Sequence, residues 1–455
     1  MPLRIANGAG FLGDNIDAPR RLVEGAEVDY LTLEHLAELT LSILARLRQK
    51  DPNAGFATDF IDVLNSLTPA LKSQSQLKII TNAGGMNPPR CAHAAATLLV
   101  AAGLGDTKIG VVTGDDLLPQ LDSLKAAGCD FTNLDTGQPL KDLTHTIVSA
   151  NAYLGAKPIA DALAQEARII ITGRVADASL TVAPAMHAFG WAWNDWNRLA
   201  AASVAGHLIE CGAQVTGGLD RHWESLDLAH VGYPIAELAE DGNCIITKPA
   251  NTGGCVTRET VIEQLVYEIG DPAHYLTPDV DVDFTTVEVQ QAGKDRVAVR
   301  NATGRPATDT YKVSLAYHDG YSASGQLLIY GKDCITKAKA CAEMILKRLQ
   351  NAGYQLRQSH IETLGIGDAI PGLHAPPSEL REVMLRVSVD DARKAAVERF
   401  AKEFAPLITS GPPGIAGYAS GRPTVRPVFA YWPTLVPKSL VKPKFEVRTA
   451  KDWIK

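Results

Sequence analysis

The sequence has few cysteines, no long hydrophobic run and no amino-terminal signal pattern. Its seven cysteines are odd in number, and no two have CxxC spacing. This predicts neither a disulfide framework nor a zinc site and favours a reducing compartment. The longest apolar run, around residues 94–103, is too short to cross a bilayer. The first residues also lack a charged region followed by an apolar core, so we expect a cytoplasmic protein without membrane contact.

Clustered positive charge is also missing. The formal net charge is −7 and the pI is about 5.9, with no run of Lys or Arg. Phosphate backbones require a basic surface, so nucleic acid is excluded as the expected partner. The 46% hydrophobic and 21% charged residues are ordinary for a globular protein. We expect a small-molecule substrate, while assembly into a homo-oligomer stays open.

The amino-terminal half alternates short apolar strands with longer amphipathic helices. That alternation predicts an α/β domain over residues 1–215, a parallel sheet with helices on both faces. Each predicted strand ends directly in a loop that contains Gly and a polar residue. The clearest strands are Leu3–Ala6, Leu77–Thr81, Ile109–Thr113 and Ala167–Thr172.

The remaining chain differs in amino-acid composition. Residues 216–455 contain more Gly, Pro and β-branched residues, and they predict a mixed α+β domain. Within it, helices at Cys334–Gln350 and Asp391–Pro406 alternate with strands in the order of two βαβ halves. This order predicts a ferredoxin-like βαββαβ unit.

Polar residues follow the strands of the amino-terminal half at their carboxyl ends. Ligands of open α/β sheets bind at that edge, so we expect these side chains to line one cleft. The predicted substrate-binding residues of this group are Asn7, Asp14, Asn82 and Arg174, with Asp115 as a candidate catalytic residue.

The opening turn has the glycine spacing of a dinucleotide fingerprint. Gly8, Gly10 and Gly13 give G-x-G-x-x-G, which lets a backbone approach a pyrophosphate. However, Asp14 directly behind the last glycine would repel phosphate, and Pro19 follows soon after. We therefore favour a tight turn that displays a carboxylate.

Two further loops carry charge. In the segment GDD, Asp115 and the next aspartate point to opposite sides of an extended chain, so one of them faces the site and the other caps the following helix. In GRVADASL, Arg174 and Asp177 lie three residues apart. The arginine can clamp a carboxylate or phosphate, or it can form a structural ion pair with Asp177, itself a candidate catalytic residue.

The segment HLIECGAQVTGG concentrates reactive side chains at the end of a predicted helix, Leu199–Glu210. His207 and Cys211 are four residues apart and would share a helix face, an arrangement that can activate a thiolate. Glu210 can act instead as a general base. Both remain candidate catalytic residues, with His207 as a substrate-binding residue.

Two later Gly-rich loops are candidate anion sites. Asn251 and Thr252 lie in ANTGGCVT, whose backbone N–H groups could form an anion nest, and Arg422 lies in SGPPGIAGYASGRP. A tight connection between domains is the alternative. The histidines show neither HxH nor HExxH spacing, so no metal site is predicted.

Several segments in order along the chain resemble the acyclic terpene utilisation (AtuA) family. They are IANGAGFLGD at 5–14, TNAGGMNP at 81–88, TGRVADASL at 172–180, HLIECGAQVTGG at 207–218, KPANTGGCVT at 248–257 and GPPGIAGYASGRP at 411–423. The resemblance implies a role in the breakdown of acyclic terpenes, on branched acids or acyl-CoA intermediates. It transfers no catalytic residues.

Residues and resemblance together give the expected function. We expect a metal-independent lyase or hydratase that works by proton transfer, without a cofactor but with CoA as a possible part of the substrate. The alternatives are a Cys-dependent hydrolase and a non-catalytic acyl-CoA-binding or scaffold subunit that partners a carboxylase.

Overall fold

The central strands of the large sheet are short runs of isoleucine, valine and threonine, which favour extended backbone. Ile169–Thr172 is buried along its whole length, as is typical of parallel strands covered on both faces. The computed structural model describes residues 2–373, 379–417 and 421–455. They form two units, the first running up to Ala316 and resuming at Tyr431–Lys455, the second comprising Tyr317–Ala430.

Most of the described strands belong to the first unit. They are β1 (Leu3–Asn7), β2 (Tyr30–Leu33), β3 (Lys78–Thr81), β4 (Lys108–Thr113), β5 (Ile147–Ala152), β6 (Ile169–Thr172), β7 (Ile235–Leu238), β8 (Cys244–Thr247), β9 (Tyr275–Leu276), β10 (Asp281–Asp283), β11 (Glu288–Gly293), β12 (Arg296–Arg300) and β13 (Thr303–Arg305), followed by β14 (Thr310–Tyr330), which continues into the second unit.

The helices of the first unit precede or connect these strands. They are α1 (Ala18–Gly25), α2 (Glu38–Lys50), α3 (Asp59–Ser73), α4 (Pro88–Ala101), α5 (Leu121–Ala126), α6 (Lys157–Ala164), α7 (Ser179–Phe189), α8 (Trp196–Glu210) and α9 (Arg258–Leu265). One main core lies between the sheet and the helices α1, α3 and α4, with Phe60, Leu64, Leu67 and Ile79 among its fully buried residues.

The large sheet is mixed. Among the described residues its strand order is β11-β12-β8-β7-β1-β2-β3-β6-β4, ending in β19 (Lys444–Thr449). The pairs β1–β2, β2–β3, β3–β6 and β6–β4 are parallel. The pairs β1–β7 and β4–β19 are antiparallel, so strands from later in the chain extend the parallel centre on both sides. A smaller sheet has the order β13-β10-β9.

The second unit is built on a helix-covered antiparallel sheet. Its elements follow β14 as α10 (Cys334–Asn351), β15 (Gln358–Leu364), β16 (Glu382–Asp391), α11 (Lys394–Ala401), α12 (Leu407–Ser410), β17 (Ile415–Gly417) and the first part of β18 (Arg426–Pro437), which belongs to the first unit from Tyr431 onward. The strand order is β15-β16-β14-β17, and Ile345, Leu385, Val387 and Phe400 are buried between the sheet and the helices. The chain ends in α13 (Ala450–Trp453), which belongs to the first unit.

An α/β chain with a large sheet and helices is confirmed, whereas the sheet of the first unit is mixed and not parallel throughout. The boundary predicted near residue 215 lies inside the first unit, in the 3-10 segment Gly212–Thr216. The ferredoxin-like assignment stays a prediction. No helix in the described ranges is long and apolar enough to cross a membrane.

Candidate functional site

Helix α8 ends at the candidate site and is held there tightly. It is apolar on all sides, and every residue from Leu199 to Ile209 is buried. Asp195 caps its first turn by accepting a hydrogen bond from the Arg198 backbone N–H at 3.4 Å. At its other end, Gly212 has a φ of 59°, which allows the chain to turn away from the helix.

Asn7 fixes the last turn of this helix. Its Nδ2 donates to the backbone oxygens of Ile209 at 2.7 Å and Glu210 at 2.8 Å. Carbonyls at a helix end have no partner within the helix, so this amide satisfies two of them. Asn7 was predicted to bind substrate, but both of its donor hydrogens are used to position Glu210.

His207 and Glu210 share one proton. The His207 Nε2 lies 2.9 Å from the backbone oxygen of Gln264. A carbonyl oxygen only accepts, so Nε2 carries a hydrogen. The Nδ1 lies 3.1 Å from Glu210 Oε1, and this contact requires a second proton, held by either the imidazole or the carboxyl group. The pair is therefore an internal acid and base.

The pKa values of this pair reflect its burial. Burial raises the pKa of Glu210, although the hydrogen bond and charge of His207 oppose the shift. Burial lowers the pKa of His207, but the hydrogen bond and charge of Glu210 outweigh this effect, and the net shift is upward. The second carboxyl oxygen of Glu210, Oε2, is buried and has no hydrogen-bond partner among the described residues.

Arg174 lies at the centre of a buried charge cluster. Its Nη1 is 2.9 Å from Asp177 Oδ1 and 3.9 Å from Glu34 Oε1, and it donates to the Leu36 backbone oxygen at 2.6 Å. The guanidinium also lies 4.1 Å from the centre of the Tyr153 ring. Only 2% of the Arg174 side chain is exposed, so its charge must be balanced locally.

These groups meet at one cavity of about 330 Å³. Four of the residues predicted for the site line it, namely Arg174, Asp177, His207 and Glu210. Its other lining residues include Tyr153, Glu268, Tyr275, Leu276, Pro278, Tyr311, Lys312 and Leu435. The volume lies at the lower end of the range of small-ligand pockets. We call it the acid–base cavity.

Tyr275 forms part of the wall beside the acid–base pair. Its ring lies 5.8 Å from the His207 ring and 5.2 Å from the Phe284 ring, both measured between centroids. Burial, followed by the nearby charges of Glu210 and Asp177, raises the pKa of Tyr275 well above its usual value. Its hydroxyl is therefore a neutral hydrogen-bond donor at physiological pH.

Asn82 and Asp115 are buried behind the cavity and do not line it. Asn82 accepts from the His35 backbone N–H at 2.7 Å and donates to Glu34. Asp115 accepts from the Arg174 backbone N–H at 2.8 Å and from Asn151 Nδ2 at 2.9 Å. Both therefore support Glu34 and Arg174, the groups next to the cavity.

The two carboxyl groups of this supporting layer have altered acidity. Burial raises the pKa of Glu34 to about 8, and the nearby charge of Asp177 adds to the shift. Burial likewise raises the pKa of Asp115 to about 6. The adjacent Asp116 accepts from the Leu118 backbone N–H at 3.1 Å, just before the short 3-10 helix Leu118–Gln120, whose N-cap residue is Leu117.

Asp14 closes its own turn. It accepts from the Gly10 backbone N–H at 2.8 Å and from the Tyr233 hydroxyl at 2.6 Å. This arrangement matches the predicted tight turn that displays a carboxylate. Gly10 is packed so closely on Cys211 that an added Cβ would lie 2.7 Å from the Cys211 carbonyl carbon.

Cys211 is not arranged as an activated nucleophile. Both ring nitrogens of His207 already have other partners, Glu210 and the Gln264 carbonyl. Burial and the charge of Glu210 raise the pKa of the Cys211 thiol to about 12. A thiol of this acidity stays protonated at neutral pH, whereas nucleophilic cysteines have a lowered pKa.

Asn251 and Thr252 line a second cavity, of about 640 Å³, which we call the outer cavity. The Thr252 hydroxyl donates to the Pro249 backbone oxygen at 2.7 Å, and Lys248 Nζ donates to the Thr252 backbone oxygen at 2.8 Å. Arg422 belongs to the second unit, where it lines a pocket on the sheet with Ser322, Ser324 and Ser388. The loops therefore do not all contribute to one site.

Sequence reasoning missed Tyr275, Glu268 and Lys312. Glu268 lies in a turn, Tyr275 in the two-residue strand β9 and Lys312 at the start of the long strand β14. No motif there distinguishes a residue that lines a cavity from a surface residue. A Tyr at the start of a two-residue strand carries no signal of its own. Within the described parts of the chain, no cluster of three or more His, Cys, Asp or Glu residues could hold a metal ion.

Comparison with known proteins identifies the family of the chain. No curated protein matches the chain. A family model described as acyclic terpene utilisation family protein AtuA matches residues 3–447. The match begins in β1 and ends in β19, and it includes the Asn7 amide, the α8 helix with His207 and Glu210, and Tyr275. Because it spans almost the entire chain, the protein belongs to the AtuA family.

Proposed function

We propose that this protein is a lyase or hydratase of acyclic terpene breakdown that moves a proton at a carbon next to a carbonyl group. The observation that carries the proposal is the His207–Glu210 pair on the wall of the acid–base cavity, in which Glu210 Oε2 has no partner among the described residues. A positioned carboxylate of raised pKa, held by an acid, is suited to general base catalysis.

The chemistry assigns a role to each group. Glu210 takes the proton from the carbon next to the substrate carbonyl, and His207 holds the carboxylate in place. Negative charge then develops on the carbonyl oxygen. Tyr275, neutral and part of the same wall, supplies a hydrogen bond to that oxygen. In elimination, the enolate forms the double bond as the C–O bond of the 3-hydroxyl breaks, and the hydroxyl leaves as water with the proton that Glu210 took from the carbon. Addition of water is the reverse, with Glu210 taking a proton from water and giving it to the carbon.

The cavity also bears on the substrate. Lys312 Nζ lies 5.1 Å from the centre of the Tyr153 ring, and Arg174 lies at 4.1 Å from the same ring, so two cations border the space. Asp177 balances Arg174, and Lys312 is a second cation beside the space that favours a carboxylated substrate. A volume of about 330 Å³ holds a branched acyl group, whereas the nucleotide of a CoA thioester would extend outside. The proposed chemistry needs neither a metal nor a cofactor.

The test follows deuterium. The protein is incubated in deuterated water with a panel of branched enoyl-CoA and 3-hydroxyacyl-CoA thioesters and the matching free acids, and the mass of every product is measured. We expect one deuterium at the carbon next to the carbonyl, or a mass change by one water. Glu210→Gln should lower this rate by about 10²-fold or more. Glu166→Gln, at an exposed Lys108 ion pair, is the control and should leave the rate unchanged.

Saturable binding of a thioester without isotope uptake or turnover would contradict the proposal. That result would favour the alternative, a non-catalytic acyl-CoA-binding subunit that partners a carboxylase. A Cys-dependent hydrolase would instead release free CoA and lose its activity in Cys211→Ser. The raised pKa of the Cys211 thiol is evidence against the Cys-dependent hydrolase.

A further inference from the structure

The outer cavity has a different construction from the acid–base cavity. Its floor is apolar and buried, formed by Ala18, Leu22, Tyr233 and Pro249, and the Tyr233 ring is fixed by the hydrogen bond from its hydroxyl to Asp14. Its edge is polar and exposed, with Asn15, Arg21, His230 and Asn251. An apolar floor with polar groups around it is suited to a ring that carries a charged substituent.

The charged group on the edge is available to a ligand. The Arg21 guanidinium forms no hydrogen bond or ion pair with any residue in the described ranges, although Arg20 beside it pairs with Asp17 at 3.4 Å and Glu24 at 3.0 Å. The His230 Nδ1 and an Asp227 carboxylate oxygen are partners at 2.9 Å, so these two groups are directed at each other. Arg21 therefore presents guanidinium donors to which a phosphate can bind through charge-assisted hydrogen bonds.

The polar edge also offers groups that suit a heterocyclic base. The Asn15 Oδ1 accepts from the Asp17 backbone N–H at 3.1 Å, which leaves its NH₂ group to donate. The Asn251 amide forms no side-chain hydrogen bond within the described chain and can both donate and accept. Buried Lys248 holds the Asn251 loop in place through the Thr252 backbone oxygen and Asp295.

We propose that the outer cavity binds a nucleoside phosphate, with the base on the Leu22–Tyr233–Pro249 floor and a phosphate at Arg21. This chemistry is common to a free nucleotide and to the nucleotide part of a CoA thioester. The proposal does not depend on proton transfer in the acid–base cavity, because its test measures binding alone.

The test is calorimetric titration of the whole protein with ADP, CoA, adenosine and inorganic diphosphate. We expect saturable binding of ADP and CoA, weaker binding of adenosine, and weakest binding of diphosphate, which lacks the base. Tighter binding of CoA than of ADP identifies a thioester as the source, and equal or tighter binding of ADP identifies a free nucleotide.

Neighbouring arginines provide a matched pair of variants. Arg21→Ala should weaken ADP binding by at least about tenfold and leave adenosine binding nearly unchanged, because only the charge-assisted contact is lost. Arg21→Lys should recover part of the affinity. Arg20→Ala, on the same helix but outside the cavity lining, should bind ADP like the unmodified protein. Equal losses in both alanine variants, no binding of ADP or CoA by the unmodified protein, or equal binding of diphosphate and ADP would each overturn the proposal.

Discussion

Charged side chains have opposite surroundings in the two units. In the second unit, Arg357 is 39% exposed and pairs with Asp319 and Asp390. Arg393 similarly lowers the pKa of Asp391 below its usual value. In the first unit, Arg174 is 2% exposed, and the pKa values of nearby Glu34 and Glu210 are raised by burial. Carboxyl groups that pair with solvent-exposed arginines keep their ionised forms, whereas the buried cluster of the first unit shifts protonation, as is typical of functional sites.

The comparison predicts its largest effect for the stability of variants at Arg174 and Arg357. Arg174→Met should lower the free energy of unfolding by about 3–5 kcal/mol, because it leaves the Asp177 carboxylate without its cation and removes the buried hydrogen bond to the Leu36 backbone oxygen. Arg357→Met should cost about 1 kcal/mol or less, since water solvates the carboxylates it leaves behind. Urea unfolding followed by circular dichroism measures both. Equal losses would remove the distinction between the two units.

The next effect concerns the acid–base pair. In His207→Gln, the burial of Glu210 is no longer opposed by the imidazole, so the pKa of Glu210 should rise further. A base with a higher pKa is ionised only at higher pH, so the acidic limb of the pH–rate profile should move to higher pH. Turnover at neutral pH should fall by about tenfold. An unshifted profile would mean that His207 does not set the pKa of Glu210.

The pH dependence of stability should also separate the units. The pKa of folded Glu34 is raised to about 8, so the folded protein keeps a proton that the unfolded chain has lost. Its stabilising contribution is complete below about pH 4.5 and is lost as the pH rises through about 8. The decline should reach up to about 1.4 kcal/mol per pH unit between about pH 5.5 and 7 and should level off above about pH 8.

Two variants identify the carboxyl group that causes each change in the free energy of unfolding with pH. Glu34→Gln should flatten the decline at neutral and basic pH. For Asp391 the sign is reversed: its lowered pKa gives stability above about pH 3.8, lost as the pH falls through the folded value. Asp391→Asn should therefore change only the acidic limb. A neutral decline that persists in Glu34→Gln would show that Glu34 is not its origin.

The smallest effect is expected at Cys211. Cys211→Ser should keep turnover within about twofold, because a thiol with a pKa of about 12 is not a nucleophile at neutral pH. Labelling with iodoacetamide at pH 7 should be slow for the same reason. A loss of activity as large as that in Glu210→Gln would return the assignment to a thiolate mechanism.

Local patterns in the sequence predicted much of the secondary structure and part of the site. The predicted helix Leu199–Glu210 corresponds to Trp196–Glu210, because its apolar residues and terminal Gly are local signals. Arg174, Asp177, His207 and Glu210 were recognisable as polar groups at the ends of apolar elements. Asn7 and Asn82 were recognised by the same rule, yet their amides bind backbone and a neighbouring side chain.

The remaining features depend on contacts between distant parts of the chain. The proton shared by His207 and Glu210 follows from the Gln264 carbonyl, 57 residues further along. Tyr275 reaches the acid–base cavity from the two-residue strand β9, and Lys312 from the start of the long strand β14. The antiparallel pairing of β7 with β1 joins segments more than two hundred residues apart, which no local period can indicate.

The bond from Asn7 to Ile209 has a consequence for synthesis on the ribosome. The two residues are separated by 202 positions, so the amide must wait for its partner. At about 5–20 residues per second, that wait is about 10–40 s. Meanwhile Thr32, which follows Asn7 within 25 residues, can already donate its hydroxyl to the Asn7 oxygen. The nascent chain can thus keep its first strand paired, while the Glu210 carboxylate reaches its final position only after α8 has emerged.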